Sequence, residues 1–181
     1  MDWKMTMTRF NNCRAIGFAA FAPRALLAML LLAFSLIGVS FADGPEAPSK
    51  GQTVYVPIYS EIWHGNLGAS GRAENVLMSI LVSIRNTDPK NPISILTAPY
   101  YDTDGKLIRN YVPAQRVIAP FGTAELFVEI REKAGGSGAN FAIQWAASNS
   151  VSPPIIEALH TRYQAGFSLA FISRGKVISA P

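Results

Sequence analysis

The stretch AELFVEIR, residues 124–131, changes between apolar and charged side chains along its length. Ala124, Leu126, Val128 and Ile130 fall on one phase; Glu125, Glu129 and Arg131 fall on the other. Successive side chains of an extended chain point to opposite faces, so one phase packs on a core while the other meets water. The same period of two recurs elsewhere. Val54, Val56 and Ile58 alternate with Tyr55, Pro57 and Tyr59, and Met78, Ile80, Val82 and Ile84 share a face opposite Ser79 and Ser83. Phe141, Ile143, Trp145 and Ala147 alternate with Asn140, Ala142, Gln144 and Ala146. Phe167, Leu169 and Phe171 alternate with Ser168, Ala170 and Ile172, and residues 155–163 read as a strand that pairs with this run. Turn residues separate the runs: Asn86-Thr87-Asp88-Pro89, Asp104-Gly105, Ala119-Pro120-Phe121-Gly122, Ser152-Pro153-Pro154 and Gln164-Ala165-Gly166. About seven or eight short strands with such punctuation predict an all-β fold, a single antiparallel β-sandwich.

The sandwich accounts for residues 51–181. Before it, Lys4, Arg9, Arg14 and Arg24 precede the uncharged run ALLAMLLLAFSLIGV, residues 25–39, and Ser40-Phe41-Ala42 places small residues around a cut. A positive start, an apolar middle and a small-residue exit are the marks of a secretory signal peptide over residues 1–42, or of a membrane anchor if it is not cut. The polar stretch DGPEAPSK, residues 43–50, reads as a tether. The expected location is therefore periplasmic or secreted, with the membrane touched only through the N-terminal segment if it is not cut. Four of the 16 basic residues and one of the 12 acidic residues lie in the leader, leaving 12 against 11 beyond it. A chain so nearly neutral has no basic patch for nucleic acid, whose phosphates need several Lys or Arg contacts. The single cysteine, Cys13, lies in the leader, so the exported part has neither disulfide nor thiolate chemistry.

Three glycines and a serine, Gly135-Gly136-Ser137-Gly138, raise two enzymatic readings. A phosphate-binding loop needs Lys after its last glycine and a helix behind it, and Asn140 to Trp145 instead alternates as a strand. A nucleophile elbow would use Ser137 with a downstream acid and base, and Glu157 and His160 do follow in that order. They lie three residues apart, however, and no helix is available to build the elbow. A flexible inter-strand loop with glycines at positive φ accounts for the same residues. Glu61-Ile62-Trp63-His64 and Glu157-Ala158-Leu159-His160 repeat a Glu-x-x-His spacing that binds metal on helices. On strands, residues three apart face opposite ways, so only His64 and His160 together remain as ligands. Asp102-Thr103-Asp104-Gly105 opens like a calcium loop but lacks the later ligands, and a type I′ hairpin turn at Asp104-Gly105 explains it. No cofactor motif is present. Tyr55, Tyr59 and Trp63, with Tyr100, Tyr101 and Tyr111 near the Asp104-Gly105 turn, suggest an aromatic face for a sugar, a peptide or a protein.

Several motifs in order, GQTVYVPIYS at 51–60, SIRNTD at 83–88, YYDTDGKL at 100–107, GGSGANF at 135–141 and FISRG at 171–175, resemble a family of bacterial exported proteins, domain-of-unknown-function family 3124. The likeness runs from Gly51 to Ile178 and implies export and one domain, with no assigned activity. The strand-Asn-turn-strand pattern from Ile84 to Ile95 also resembles immunoglobulin-like modules, which refines the expected architecture to an immunoglobulin-like sandwich. The leading expectation is a non-catalytic protein that binds an unidentified partner or small-molecule ligand through Tyr55, Tyr59, Trp63, Gly135, Gly136, Ser137 and Asn140. The alternatives are a metal-handling protein using His64 and His160, and a hydrolase with Ser137 as nucleophile.

Overall fold

The computed structural model describes residues 46–180, which belong to a compact unit spanning Gly44–Pro181. The leader, its proposed cut and the first residues of the tether lie outside the described residues. Among the described residues there are thirteen strands and no helix. They are β1 (Ser49–Pro57), β2 (Glu61–His64), β3 (Glu74–Leu77), β4 (Ser79–Arg85), β5 (Ile93–Thr97), β6 (Pro99–Tyr101) and β7 (Leu107–Asn110). The chain continues through β8 (Arg116–Ile118), β9 (Thr123–Val128), β10 (Asn140–Val151), β11 (Ile155–Gln164), β12 (Phe167–Arg174) and β13 (Lys176–Ser179). The alternating runs of the sequence became the long strands β1, β4, β9, β10, β11 and β12. The strand total exceeds the expected seven or eight because β2, β3, β6, β7, β8 and β13 hold only three or four residues each. Ser49, assigned to the tether by its composition, already pairs with Val151.

Two open antiparallel sheets face each other. One runs β13-β1-β10-β5-β8, with β6 attached to β10 and β7 to β6; the other runs β12-β11-β4-β9, and β2-β3 form a separate hairpin. The chain crosses repeatedly from one layer to the other, as strands of immunoglobulin-like modules do. Register explains the core. Ile80 lies between Val128 and His160, Val82 between Leu126 and Ala158, and Ile84 between Ala124 and Ile156. From the other layer Val54 opposes Ile143 and Val56 opposes Phe141. Apart from His160, a buried polar residue beside them, these side chains form one cluster that draws on both sheets, together with Ile93, Ile95 and Trp145. Each large aliphatic removed from water there contributes about 1.5–3 kcal/mol. The unit contains both layers and the whole described core.

Polar side chains hold one end of the sandwich together. Asn86, buried between β4 and β5, donates its amide to the carbonyls of Asn91 at 2.9 Å, Ala119 at 3.0 Å and Ile118 at 3.3 Å. Its Oδ1 accepts the Asp88 N–H, and Asp88 in turn accepts the N–H groups of Lys90 and Asn91. Those backbone donors favour the ionised carboxylate and hold Asp88 below its ordinary pKa. The loops 86–91 and 119–122 are thereby joined.

Candidate functional site

The opposite end is joined by backbone. The Gly135 carbonyl accepts both the N–H and the hydroxyl of Thr103, each at 3.0 Å, and Gly138 N–H returns a bond to Thr103 Oγ1. The Gly136 carbonyl accepts Ser60 N–H at 3.1 Å and Ser60 Oγ at 2.8 Å, and Ile58 N–H donates to the Ala139 carbonyl. Close approach requires glycine here. A Cβ on Gly135 would sit 2.0 Å from the Tyr100 hydroxyl and 2.5 Å from Ser60 Oγ. Gly136 has a φ of 72°, and a Cβ there would lie 2.6 Å from Thr103 Oγ1. The stretch is a loop, as its composition indicates, but the expectation of flexibility needs correcting. It is tied to the end of β1 and to the β6–β7 connection by six hydrogen bonds.

That connection corrects a second expectation. A type I′ turn requires positive φ at both central residues, whereas only Gly105, at 79°, has it. Gly105 N–H donates to the Asp102 carbonyl, and Asp102 Oδ1 accepts the N–H groups of Asp104 and Lys106. The strands end at Tyr101 and resume at Leu107, so the wider loop closes around an Asp102 side chain with glycine as its left-handed residue.

The aromatic residues divide into two groups. Tyr100 is fully buried against Phe141, with ring centroids 4.8 Å apart, and Tyr111 meets both rings edge-on. Burial pushes the Tyr100 hydroxyl up to about 12, and the Arg109 guanidinium covers the Tyr111 ring at 4.3 Å. Tyr100 is therefore core, not part of an exposed face. Tyr55, half-buried on β1, lies opposite Ala142 and Lys176. Tyr59, 38% exposed, rests edge-on against His160 and Phe171 at the mouth of the sandwich. Trp63, 65% exposed on β2, donates its indole N–H to Glu61, which also accepts the Asn75 amide. Among the described residues no ring-to-ring contact joins Tyr55, Tyr59 and Trp63 to one another. Asn140 begins β10 opposite Tyr101 and Pro57.

The two histidines have different surroundings. His64 is exposed on the β2–β3 hairpin, opposite Glu74. His160 is fully buried, stacked on Phe171 at 4.5 Å, and its Nε2 accepts the Tyr59 N–H at 3.1 Å. That bond makes the neutral ring carry its proton on Nδ1, which has no hydrogen-bond partner of its own. Burial pushes the His160 pKa down to about 4, against a smaller upward pull from the carbonyls of Ala158 and Phe171. Glu157, three residues earlier, points to the other face and pairs with Arg85 at 3.4 Å. Neither Glu157 nor His160 hydrogen-bonds Ser137. No group of three or more His, Cys, Asp or Glu side chains among the described residues is placed to hold a metal ion.

A feature that the alternation conceals is an apolar row on the outer face of the four-stranded sheet. Phe127 lies opposite Leu81, Leu81 opposite Leu159, and Leu159 opposite Ile172. Each stands in the outward phase of its strand among Glu125, Ser79, Ser83, Glu157, Thr161 and Ser168, and that phase also holds Ile155 on β11 and Ala170 on β12. The available signal was one or more apolar residues in the outward phase of each strand, and only the register shows that these four align.

No curated protein matches the chain. A crystal structure of Thermotoga maritima 1070 is similar to it with a TM-score of 0.41 and 10% identity, over 74% of this chain and 98% of that one. A family model described as "Protein of unknown function (DUF3124)" matches residues 51–178, and the chain belongs to that family.

Proposed function

We propose that this protein is an exported, non-catalytic binding module, acting in the periplasm or outside the cell, whose contact surface is the end of the sandwich carrying Tyr59, Trp63 and the 135–140 loop. The observation that carries this reading is Trp63. A large amphipathic ring stands 65% exposed on a short hairpin, and the chain leading into that hairpin is anchored at Ser60 to the Gly136 carbonyl. An exposed aromatic on a fixed base loses little entropy when it contacts a partner, which favours binding. Tyr55 and Asn140 lie on the strands below this end, and Gly135, Gly136 and Ser137 shape its floor. Export is the reading favoured by the leader, and it is checked by determining the mature N-terminus of the protein recovered from cell fractions.

Site-specific photo-crosslinking tests the contact surface. A benzophenone side chain introduced at Trp63 is expected to give a discrete product in the native compartment. The same group at Phe121, 72% exposed on the turn at the opposite end, gives none. Products of equal yield at both positions would refute the assignment, as would a partner captured through Tyr59 that is still retained by Trp63→Ala.

A further inference from the structure

The outer face of the four-stranded sheet is covered by neither the second layer nor the loop end. Phe127 and Ile172 are each 55% exposed there, Leu159 is 36% exposed and Leu81 half-buried, in one continuous row across β9, β4, β11 and β12. Natural sheets place apolar side chains singly on water-facing surfaces, so a row spanning every strand marks a surface that is covered in use. The next row on one side reads Glu125, Ser83, Glu157, Arg174 in the same strand order, with opposite charges at its two ends.

We propose that this face is the contact between two copies of the chain, stacked sheet on sheet about a twofold axis parallel to the strands. Such an axis reverses the strand order but keeps each position along the strands. It sets the second copy's Ile172 over Phe127, its Leu159 over Leu81, and its Arg174 over Glu125, and each contact occurs twice, as a self-complementary interface requires. A twofold axis along the apolar row would instead lay the Glu125–Glu157 row over the row of Ser79, Thr161 and Ala170, where neither carboxylate meets a cation. Charge therefore selects the first arrangement. It also selects the occupant. Glu125 and Glu157 balance Arg85 and Arg174 around the row, which suits a copy of the same face and offers an anionic lipid surface no net attraction.

The face is the size of a weak, transient contact. Four strands and six paired positions along them present roughly 19 by 20 Å at ordinary sheet spacings. Two copies then bury on the order of 1,000 Å² together, the low end for specific interfaces, where weak and transient encounters are found.

Sedimentation of the purified protein over a concentration series tests the proposal. A monomer–dimer equilibrium is expected, with a dissociation constant of about 10–100 μM. Leu159→Lys, at an exposed site, weakens association at least tenfold while the circular dichroism spectrum is unchanged. Glu125→Arg weakens it severalfold, and Glu125→Arg combined with Arg174→Glu restores it. A chain that remains monomeric up to about 1 mM overturns the proposal and leaves the face to a different partner. A dimer indifferent to Leu159→Lys overturns it in favour of another surface, and a double variant no better than Glu125→Arg overturns the axis.

Discussion

Two rows of side chains cross the four-stranded sheet one residue out of phase. The inner one is Val128, Ile80, His160, Phe171; the outer one is Phe127, Leu81, Leu159, Ile172. The outer row is the more apolar, having no polar member, yet it faces water while the inner row lies under the second sheet. The composition of these two rows alone did not select the buried one. The second layer did, because Val54, Val56, Phe141 and Ile143 supply a matching surface on only one side. A residue such as His160 can therefore occupy the core if its ring is stacked on Phe171 and one nitrogen accepts a hydrogen bond, here from Tyr59.

The contrast predicts a graded set of effects. The largest is expected at Ile80, fully buried in the inner row. Ile80→Ala removes packed methyl groups with little chance of collapse, and should cost about 3–4 kcal/mol by urea unfolding of the purified protein. A loss as small as that at Leu81 would show that the rows do not differ in packing.

The next effect belongs to His160 and depends on pH. Its folded pKa is depressed from 6.5 to about 4, so between these values the unfolded chain binds a proton that the folded chain does not. Stability is thus unaffected by this group above pH 6.5, falls as pH drops from 6.5 toward 4, and levels off below that. The full loss is roughly 3 kcal/mol. His160→Phe leaves the Tyr59 N–H without its acceptor and is less stable at pH 7, but it should not show the wild-type decline between pH 6.5 and 4.5. Equal pH profiles for the two proteins would mean that His160 is already protonated or water-accessible in the folded state.

The smallest effect is expected in the outer row. Phe127→Ser should lower monomer stability by about 0.5–1 kcal/mol and Leu81→Ser, at the half-buried position, by about 1–2 kcal/mol, less than in the inner row because part of each side chain stays in water in the folded monomer. Measured at low micromolar protein, below the expected association range, a cost above about 2 kcal/mol would place these residues in the monomer core instead.

Much of the architecture was legible in the chain. The alternations at Val54–Ile58, Met78–Ile84, Ala124–Val128, Phe141–Trp145 and Phe167–Phe171 each correspond to a strand, and 155–163 proved to be the strand that pairs with 167–173. The opposite orientations of Glu157 and His160 were legible as well, because they follow from the two-residue period alone. The short strands were not, since three or four residues are too few to display a period. Tyr100 was misplaced for that reason: β6 is only Pro99–Tyr101, and the burial of its middle residue depends on pairing with β10 through Phe141. The Gly135-Gly136 pair was recognisable as a loop, but its rigidity depends on Ser60, Tyr100 and Thr103, which are distant in sequence.

What the sequence determined by itself was the layered character of the fold, because a period of two requires an extended chain with one face to hide, and only sheets packed together can hide it. What tertiary structure alone decided was how the strands are set side by side. Register made Phe127, Leu81, Leu159 and Ile172 neighbours, separated His64 from the buried His160 environment, and brought Ser60 and Thr103 onto the glycine loop. Register is fixed by distant partners and turn geometry, and each strand taken singly carries no record of which residue it will face.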